Sequence, residues 1–421
     1  MFNTLQSLAE KGLFHQLSIT LLSNINTITN DTLCNIYDNI ILPNYYNINT
    51  DTFINISILV SKRLNTHSSI SILYNTLNIL NNEYNTHSSI SNSKYNTHSV
   101  ISNSEYNTHS VISNDNNTEH NDNGVISSST DENNPILYIN RLNNNNSVIF
   151  NGSIRILLEI SLNYIQIDQL QQGRIILYEC KEMEIESKES LRILHLGLGL
   201  LHYKSKNFTI SYKNLVEYLK LLNMEKKKEI ENEKITEIIE TVVRAGIYSD
   251  EIYSFTELIK ICSTITESNS EDKNLSKIKN NEKFDKTKNI ENISIKLIMA
   301  LENDDPMESE RISKVFDEEI VELVKKKAVI IRLLNYFFKN QERTVILKKI
   351  SDDLSLPLEL VQECILQILG TGLMKGNIDG ISGEFSYTWI GYKYLTEEEI
   401  KSIRMVVREM RARVDSVRQE I

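Results

Sequence analysis

The sequence predicts a mainly α-helical protein, in which tetratricopeptide-like helical repeats form a solenoid that is followed by a winged-helix module and a long C-terminal helix. Three observations support this prediction. Apolar residues recur at intervals of three and four along most of the chain, which is the helical period. Near the C-terminal end the pattern changes to helix, short strand, two helices and a hairpin. After that, an apolar heptad runs to residue 421.

Length and composition limit the possible classes of protein. The 421 residues and 40% hydrophobic content predict two or three structural units with sizeable cores. A net charge of −11 argues against sequence-independent binding of nucleic acid, so no nucleic-acid partner is expected. The first residues, MFNTLQSLAEKGLFHQL, lack the basic start of a signal peptide. The chain has no uninterrupted run of eighteen apolar residues, so we expect no membrane partner and a location in the cytoplasm and nucleus.

Residues 1–80 are predicted to be N-terminal helical repeats. A leucine stripe starts at Leu5 and is interrupted near Gly12, and a second apolar stripe ends before Pro43. A third stripe follows Asp51. Helices of these lengths fit antiparallel hairpins.

Residues 81–134 contain tandem copies of YNTHS at a period of eleven. Asn, Ser and Thr dominate each copy, and one pair of aliphatic residues per copy is too little for a core. We therefore predict a disordered, low-complexity insertion. Its recurring histidines are interpreted as part of the repeat and not as metal ligands, because four unanchored side chains are costly to gather; they are His87, His98, His109 and His120.

Helical repeats are expected to resume over residues 135–265, as pairs of helices with short loops that resemble tetratricopeptide stacking. The pair Gly197 and Gly199 lies in a leucine-rich helical stripe, so we interpret it as a site of close helix packing and not as a phosphate-binding loop. Residues 266–292 are rich in Lys, Asn and Glu, and predict a charged flexible insertion.

Residues 293–392 have the element order of a winged helix. A short helix and a linker around Asp304–Pro306 precede a long helix over 318–339. A strand, two further helices and a hairpin follow, with Pro357 in the first turn of the third helix. The wing residues singled out as candidates are Met374, Ile378, Phe385, Tyr387 and Trp389. The third helix offers Glu359, Gln362, Glu363 and Gln367 at its exposed positions but no Lys or Arg, so we expect this module to pair with proteins instead of reading DNA.

Residues 393–421 predict a heptad helix with charged residues between its apolar positions. A seam of this kind faces one partner helix along a slow supercoil. The predicted partner-helix interface consists of Ile400, Ile403, Val407, Met410, Val414, Val417 and Ile421. The sequence leaves open whether the seam packs on another protein or back on the helices of residues 1–265.

The sequence offers no recognisable catalytic constellation. It lacks a P-loop and an HExxH zinc signature, and His195 and His202 stand seven apart, which misses the spacing of paired metal ligands. The four cysteines are distant from one another and predict buried or neutral thiols in a reducing compartment. We therefore expect no enzyme activity, no catalytic residue, no cofactor and no metal.

Several segments carry a resemblance to the PCI family, whose members combine helical repeats with a winged helix. They are LFHQLSITLL (13–22), IYDNIILP (36–43), residues 347–380 and YTWI (387–390). The most specific part is GLMKGNID (372–379) followed by a strand that contains tryptophan. The two insertions are departures from the family pattern.

The resemblance implies a non-catalytic scaffold. PCI proteins scaffold the proteasome lid, the COP9 signalosome and a translation initiation factor complex. The segments are most similar to a subunit of the 26S proteasome lid, which acts in ubiquitin-dependent degradation. The implied partners are neighbouring PCI subunits, the metalloprotease-like subunit pair and the ubiquitin-receptor subunit. The implied contacts are winged helices meeting edge to edge and C-terminal helices gathered in a bundle.

Overall fold

The computed structural model describes residues 1–95, 147–225, 232–269, 293–340, 342–391 and 397–420. The chain is mainly α-helical, as predicted. It divides into two compact units, Met1–Gly197 and Leu198–Ile421.

The first unit contains eight α-helices within the described residues, and the last of them crosses the boundary between the units. They are α1 (Phe2–Glu10), α2 (Phe14–Asn24), α3 (Asn30–Ile36), α4 (Thr50–Ser61), α5 (Thr66–Tyr95), α6 (Ser147–Gln166), α7 (Leu170–Glu182) and α8 (Lys188–Lys204). Gly12 lies between α1 and α2 at a φ of +68°, a conformation that favours glycine. The interruption predicted near Gly12 is confirmed.

The core of α1–α4 is built from the leucines and isoleucines of the predicted stripes. Leu5, Leu17 and Leu33 are fully buried in it. After α3 the chain continues as a π-helical turn, Tyr37–Ile41, and a 3-10 helix, Leu42–Asn47. The buried Tyr37 hydroxyl lies 2.9 Å from the Ser57 hydroxyl and 3.0 Å from that of Thr76. These contacts satisfy a polar group that would be costly to bury alone.

Helix α5 passes the predicted boundary of the first insertion. Its backbone is helical to Tyr95, so the part of the predicted disordered segment between residues 81 and 95 is helical. Residues 96–134 of that insertion, and residues 135–146, lie outside the described residues. Residues 81–95 are mostly polar, so they lack a clear apolar period, but they contain no Pro or Gly that would end the helix.

Helix α6 is the apolar centre of the first unit. Within the described residues its segment Val148–Gln166 is the one helix that is long and apolar enough to cross a membrane, and 61% of its most apolar window is buried inside the protein. Asn, Ser, Arg and Glu are scattered along this segment, so it contains no uninterrupted apolar run.

The second unit continues with helix pairs. They are α9 (Phe208–Glu225), α10 (Asn232–Tyr248), α11 (Thr256–Asn269) and α12 (Ile293–Glu302). Gly199 in α8 lies against Leu215 of α9, and a Cβ at Gly199 would be 2.4 Å from the Leu215 Cδ2. The predicted close packing at Gly199 is confirmed. Helix α11 extends to Asn269, four residues into the predicted second insertion, and residues 270–292 lie outside the described residues.

The linker predicted around Asp304–Pro306 is present as a turn at residues 303–305 between two helices, but the helix that begins at Pro306 was not predicted. Helix α13 spans Pro306–Ser313, and the Asp305 side chain accepts a hydrogen bond of 3.0 Å from the backbone N–H of Glu308. Proline at the first helical position and Asp before it are the usual start of a helix. The helix is two turns long, which is too short for its apolar period to stand out.

The remaining elements pack as helices against a small sheet. They are α14 (Glu318–Lys339), β1 (Thr344–Ile346), α15 (Leu347–Leu354), α16 (Leu358–Gly370), β2 (Met374–Asp379) and β3 (Glu384–Ile390). The sheet is antiparallel with the order β1–β3–β2. Phe385 and Tyr387 of β3 each lie 5.3 Å from the Phe337 ring of α14 and form the centre of this part. Helix α17 (Glu397–Glu420) ends the described chain.

Candidate functional site

The predicted seam of α17 is exposed. Ile400 is 36% exposed, and the exposed fraction rises to 61% at Met410. Ile403, Val407 and Val414 lie between these values. The side chain of Val417, and all of Ile421, lie outside what the structure describes. Aliphatic side chains aligned and exposed at heptad positions are the face that a second helix covers in a coiled coil.

The predicted wing residues divide between core and surface. Met374, Phe385 and Tyr387 are almost fully buried, so they stabilise the sheet and are not available to a partner. Ile378 is half-buried, and Trp389 is 46% exposed with the Lys375 ammonium 5.6 Å from its ring centre. Side chains alternate across a strand, which places Phe385 and Tyr387 together on the inner face of β3. Trp389 and the fully exposed Ile381 at the hairpin tip are the large apolar side chains of this hairpin that remain exposed.

Helix α16 presents an acidic surface. Glu359, Gln362 and Glu363 are exposed, as predicted, together with Leu366, whereas Gln367, also predicted to be exposed, is half-buried. The Lys326 ammonium lies 3.9 Å from the Glu363 carboxylate and supplies a positive charge from the neighbouring helix α14. Carboxylates on this face would repel phosphates, so its chemistry suits a protein surface better than DNA.

A cavity of about 440 Å³ lies within the second unit. Apolar side chains of α14 and β3, including Leu334, Phe338 and Trp389, line one side of it. Glu257 and Glu302 also line it. Glu302 accepts hydrogen bonds from the backbone N–H of Phe255 at 2.9 Å and from the Thr256 hydroxyl, and Glu257 lies 2.7 Å from the Lys220 ammonium. These carboxylates are engaged in stabilising the start of α11, so the cavity offers apolar contact instead of an acid–base pair.

Lys327 is buried beside the cavity, and the sequence analysis missed it. Its side chain is 4% exposed, and its ammonium donates to the carbonyl oxygens of Ser249 at 2.5 Å and Ile252 at 2.7 Å. The ammonium also lies 4.1 Å from the centre of the Tyr253 ring. Burial lowers the pKa of Lys327 to about 7, and Asp250 partly opposes this shift. The signal was available, because position 327 falls in the apolar stripe of α14.

The candidate histidines and cysteines behave as structural residues. His202 is buried and His195 half-buried. Cys180, Cys262 and Cys364 are buried, whereas Cys34 is partly exposed. Burial raises the pKa of the Cys180 and Cys262 thiols to about 12, which keeps them protonated and unreactive near neutral pH. Among the described residues, no three His, Cys, Asp or Glu side chains form a metal-binding group.

Comparisons with known proteins give no family for this chain. No protein-family model matches the sequence, and no curated protein matches it at a significant level. The resemblance to PCI proteins therefore depends on the residues quoted above and on the order of the elements.

Proposed function

We propose that this chain is a non-catalytic scaffold subunit of the proteasome lid, with a PCI domain whose winged helix is α14, β1, α15, α16, β2 and β3. Its sequence resembles most the lid protein known as non-ATPase regulatory subunit 13. In this role it holds neighbouring PCI subunits and the metalloprotease-like pair together, near the ubiquitin receptor, and supports ubiquitin-dependent degradation.

The observation that carries this proposal is the exposed seam of α17. An exposed apolar surface of this regularity promotes aggregation in a free protein, whereas in an assembly it is covered by a partner. The helix follows a small sheet and three helices in the order of a winged helix, and helical pairs precede them. That combination is the arrangement by which the PCI family builds large complexes.

The surface of the proposed winged helix supports protein contacts over DNA contacts. Its third helix, α16, is acidic where a DNA-reading helix is basic. Strand β2 lies at one edge of the sheet, where its outer side can extend a neighbouring sheet. Edge-to-edge contact through β2 is part of the proposal.

Removal of residues 396–421 tests the role of the helix. We expect the truncated protein to remain folded but to enter lid assemblies poorly on native gels. Val407→Asp should act like the truncation, because an uncompensated charge in a closed apolar seam costs about 2 kcal/mol or more. Met405→Asp is the matched control, since Met405 is also exposed on α17 but lies outside the seam. Full incorporation of the truncated protein would contradict the proposal.

Affinity purification with mass spectrometry identifies the assembly. Recovery of proteasomal ATPases and lid subunits supports the proposal. Recovery of signalosome subunits, or of ribosomal components, would instead support the alternative, a PCI subunit of the COP9 signalosome or of a translation initiation factor complex. A salt-dependent gel shift with DNA would indicate the nucleic-acid-binding class instead.

A further inference from the structure

Helix α17 has an uneven charge distribution on the two sides of its seam. With Ile400, Val407 and Val414 at heptad position a, the e and b positions form one flank beside the seam. This flank carries Lys401, Arg404, Arg408 and Arg411, all of them exposed, and one acidic residue, Asp415, 3.9 Å from Arg411. In the sequence Arg418 continues the same flank. The opposite flank is mixed in charge, with Val406 and Glu409 among its exposed members.

The basic flank bears on what covers the seam. Charges at e and g positions determine which helices pair and in which orientation. We propose that the occupant of the seam is a helix of a different protein, with an apolar heptad of its own and acidic residues at the positions that face Arg404 and Arg411. This inference rests on the proposed function and deepens it, because it gives the chemistry of the bundle partner.

A second copy of this chain fits the flank poorly. In an antiparallel pair the e positions face one another, so Arg404 and Arg411 would meet arginines of the other copy. In a parallel pair each g position faces an e position of the other copy. Glu399 would then meet Arg404, but Val406 would meet Arg411 and Arg413 would meet Arg418. Neither orientation neutralises the basic flank, whereas glutamates on a partner helix neutralise it at each heptad.

A lipid surface also fits less well than a helix. Amphipathic helices that lie on membranes present a wide apolar face, usually with Trp, Phe or Leu. The seam of α17 is narrow and consists of Ile, Val and Met, which are side chains that fit the holes of a facing helix.

Binding of the full chain to two synthetic helices tests the inference. Both probes have about four heptads with Ile and Val in the seam; one has Glu at all e and g positions, and the other has Lys. We expect the acidic helix to bind more tightly than the basic one by roughly tenfold or more, since each exposed ion pair contributes a fraction of a kcal/mol and each like-charge pair opposes binding.

Charge reversal provides the matched variant. The double variant Arg404→Glu and Arg411→Glu should prefer the basic helix, while Val407→Asp should weaken the binding of both. Equal affinity of the two probes for the unchanged protein would overturn the inference. So would a dimer in analytical ultracentrifugation that Val407→Asp dissociates, or tighter binding to anionic vesicles than to the acidic helix.

The proposed function can fail separately. If the chain purified with a signalosome while the charge preference held, the assembly would be wrong and the partner chemistry right. If the chain purified with the proteasome but bound both probes equally, the proposed assembly would be right and the proposed partner chemistry wrong.

Discussion

Lys327 gives the sharpest test of how the second unit is held together. Its ammonium is buried under the α10–α11 connection, where it donates to the carbonyl oxygens of Ser249 and Ile252. Burial lowers its pKa from 10.5 to about 7. A lysine in the unfolded chain keeps its proton up to a pH of about 10.4. Between these two values the unfolded state binds more protons than the folded state.

The sign of the pH dependence follows from this difference. The free energy of unfolding must rise with pH as Lys327 loses its proton in the folded protein, by at most about 1.4 kcal/mol per pH unit. With the two pKa values above, the contribution between pH 6.5 and 8.5 is about 2 kcal/mol. Below pH 7 both states are protonated, and the full cost of burying the charge is present.

The measurement is urea unfolding followed by tryptophan fluorescence, because the single tryptophan, Trp389, lies in the second unit. We compare the protein with Lys327→Met in reducing buffer at several pH values. The unfolding free energy of the unchanged protein minus that of Lys327→Met should increase by about 2 kcal/mol from pH 6.5 to 8.5. Titration of the buried thiols affects both proteins alike and cancels.

Lys326→Met is the control, since the Lys326 side chain is 47% exposed on the same helix. It should leave the pH dependence unchanged. A difference between protein and Lys327→Met that stays constant with pH would refute the reasoning. It would mean that the two carbonyl oxygens and the Tyr253 ring hold the charged form as well as water does.

Two further changes probe packing and hydrogen bonding, again by urea unfolding of the second unit. Gly199→Ala should lower the unfolding free energy by about 1–3 kcal/mol, because its Cβ would overlap Leu215. Gly370→Ala is the control, since nothing lies within 4 Å of a Cβ there, and it should not lower the unfolding free energy comparably. Equal effects of the two substitutions would exclude close packing as the cause. Tyr387→Phe should lower the unfolding free energy by about 1 kcal/mol, because the Tyr387 hydroxyl lies 2.9 Å from the Glu342 carbonyl oxygen and 3.1 Å from that of Phe337. An unchanged urea midpoint would show that these hydrogen bonds do not contribute to stability.

The sequence determines the elements of the second unit closely where local signals agree. Helix α14 was predicted over 318–339 and spans the same residues. Helix α15 begins directly after Ile346, the last residue of β1, and helix α16 begins directly after Pro357. In these places the apolar period, the caps and the breaking residues all indicate the same boundary.

Other features depend on tertiary contacts, and the sequence predicts them poorly. Lys327 interrupts an apolar stripe, and only the fold brings two carbonyl oxygens and the Tyr253 ring to its ammonium. The wing residues were recognised as a group, but Tyr387 is buried, whereas Trp389, which simple alternation would place on the same face of β3, is exposed beyond the register shift at Lys375/Gly376. Helix α13 is short and is defined by its cap more than by its period.

The position of the exposed apolar surface connects the fold to the proposal. In the sheet and its hairpin tip, Met374, Phe385 and Tyr387 are buried, while Ile346, Ile381 and Trp389 are exposed. In α17 every described side chain of the predicted seam is exposed, and so are Met405 and Val406, which lie outside it. One i,i+4 contact, between Arg411 and Asp415 at 3.9 Å, contributes at most about 0.5 kcal/mol to the helix. Helices in proteins gain most of their stability from the packing of an apolar face, which for α17 is whatever covers its seam. Assembly and the order of this helix are therefore coupled in the proposed subunit.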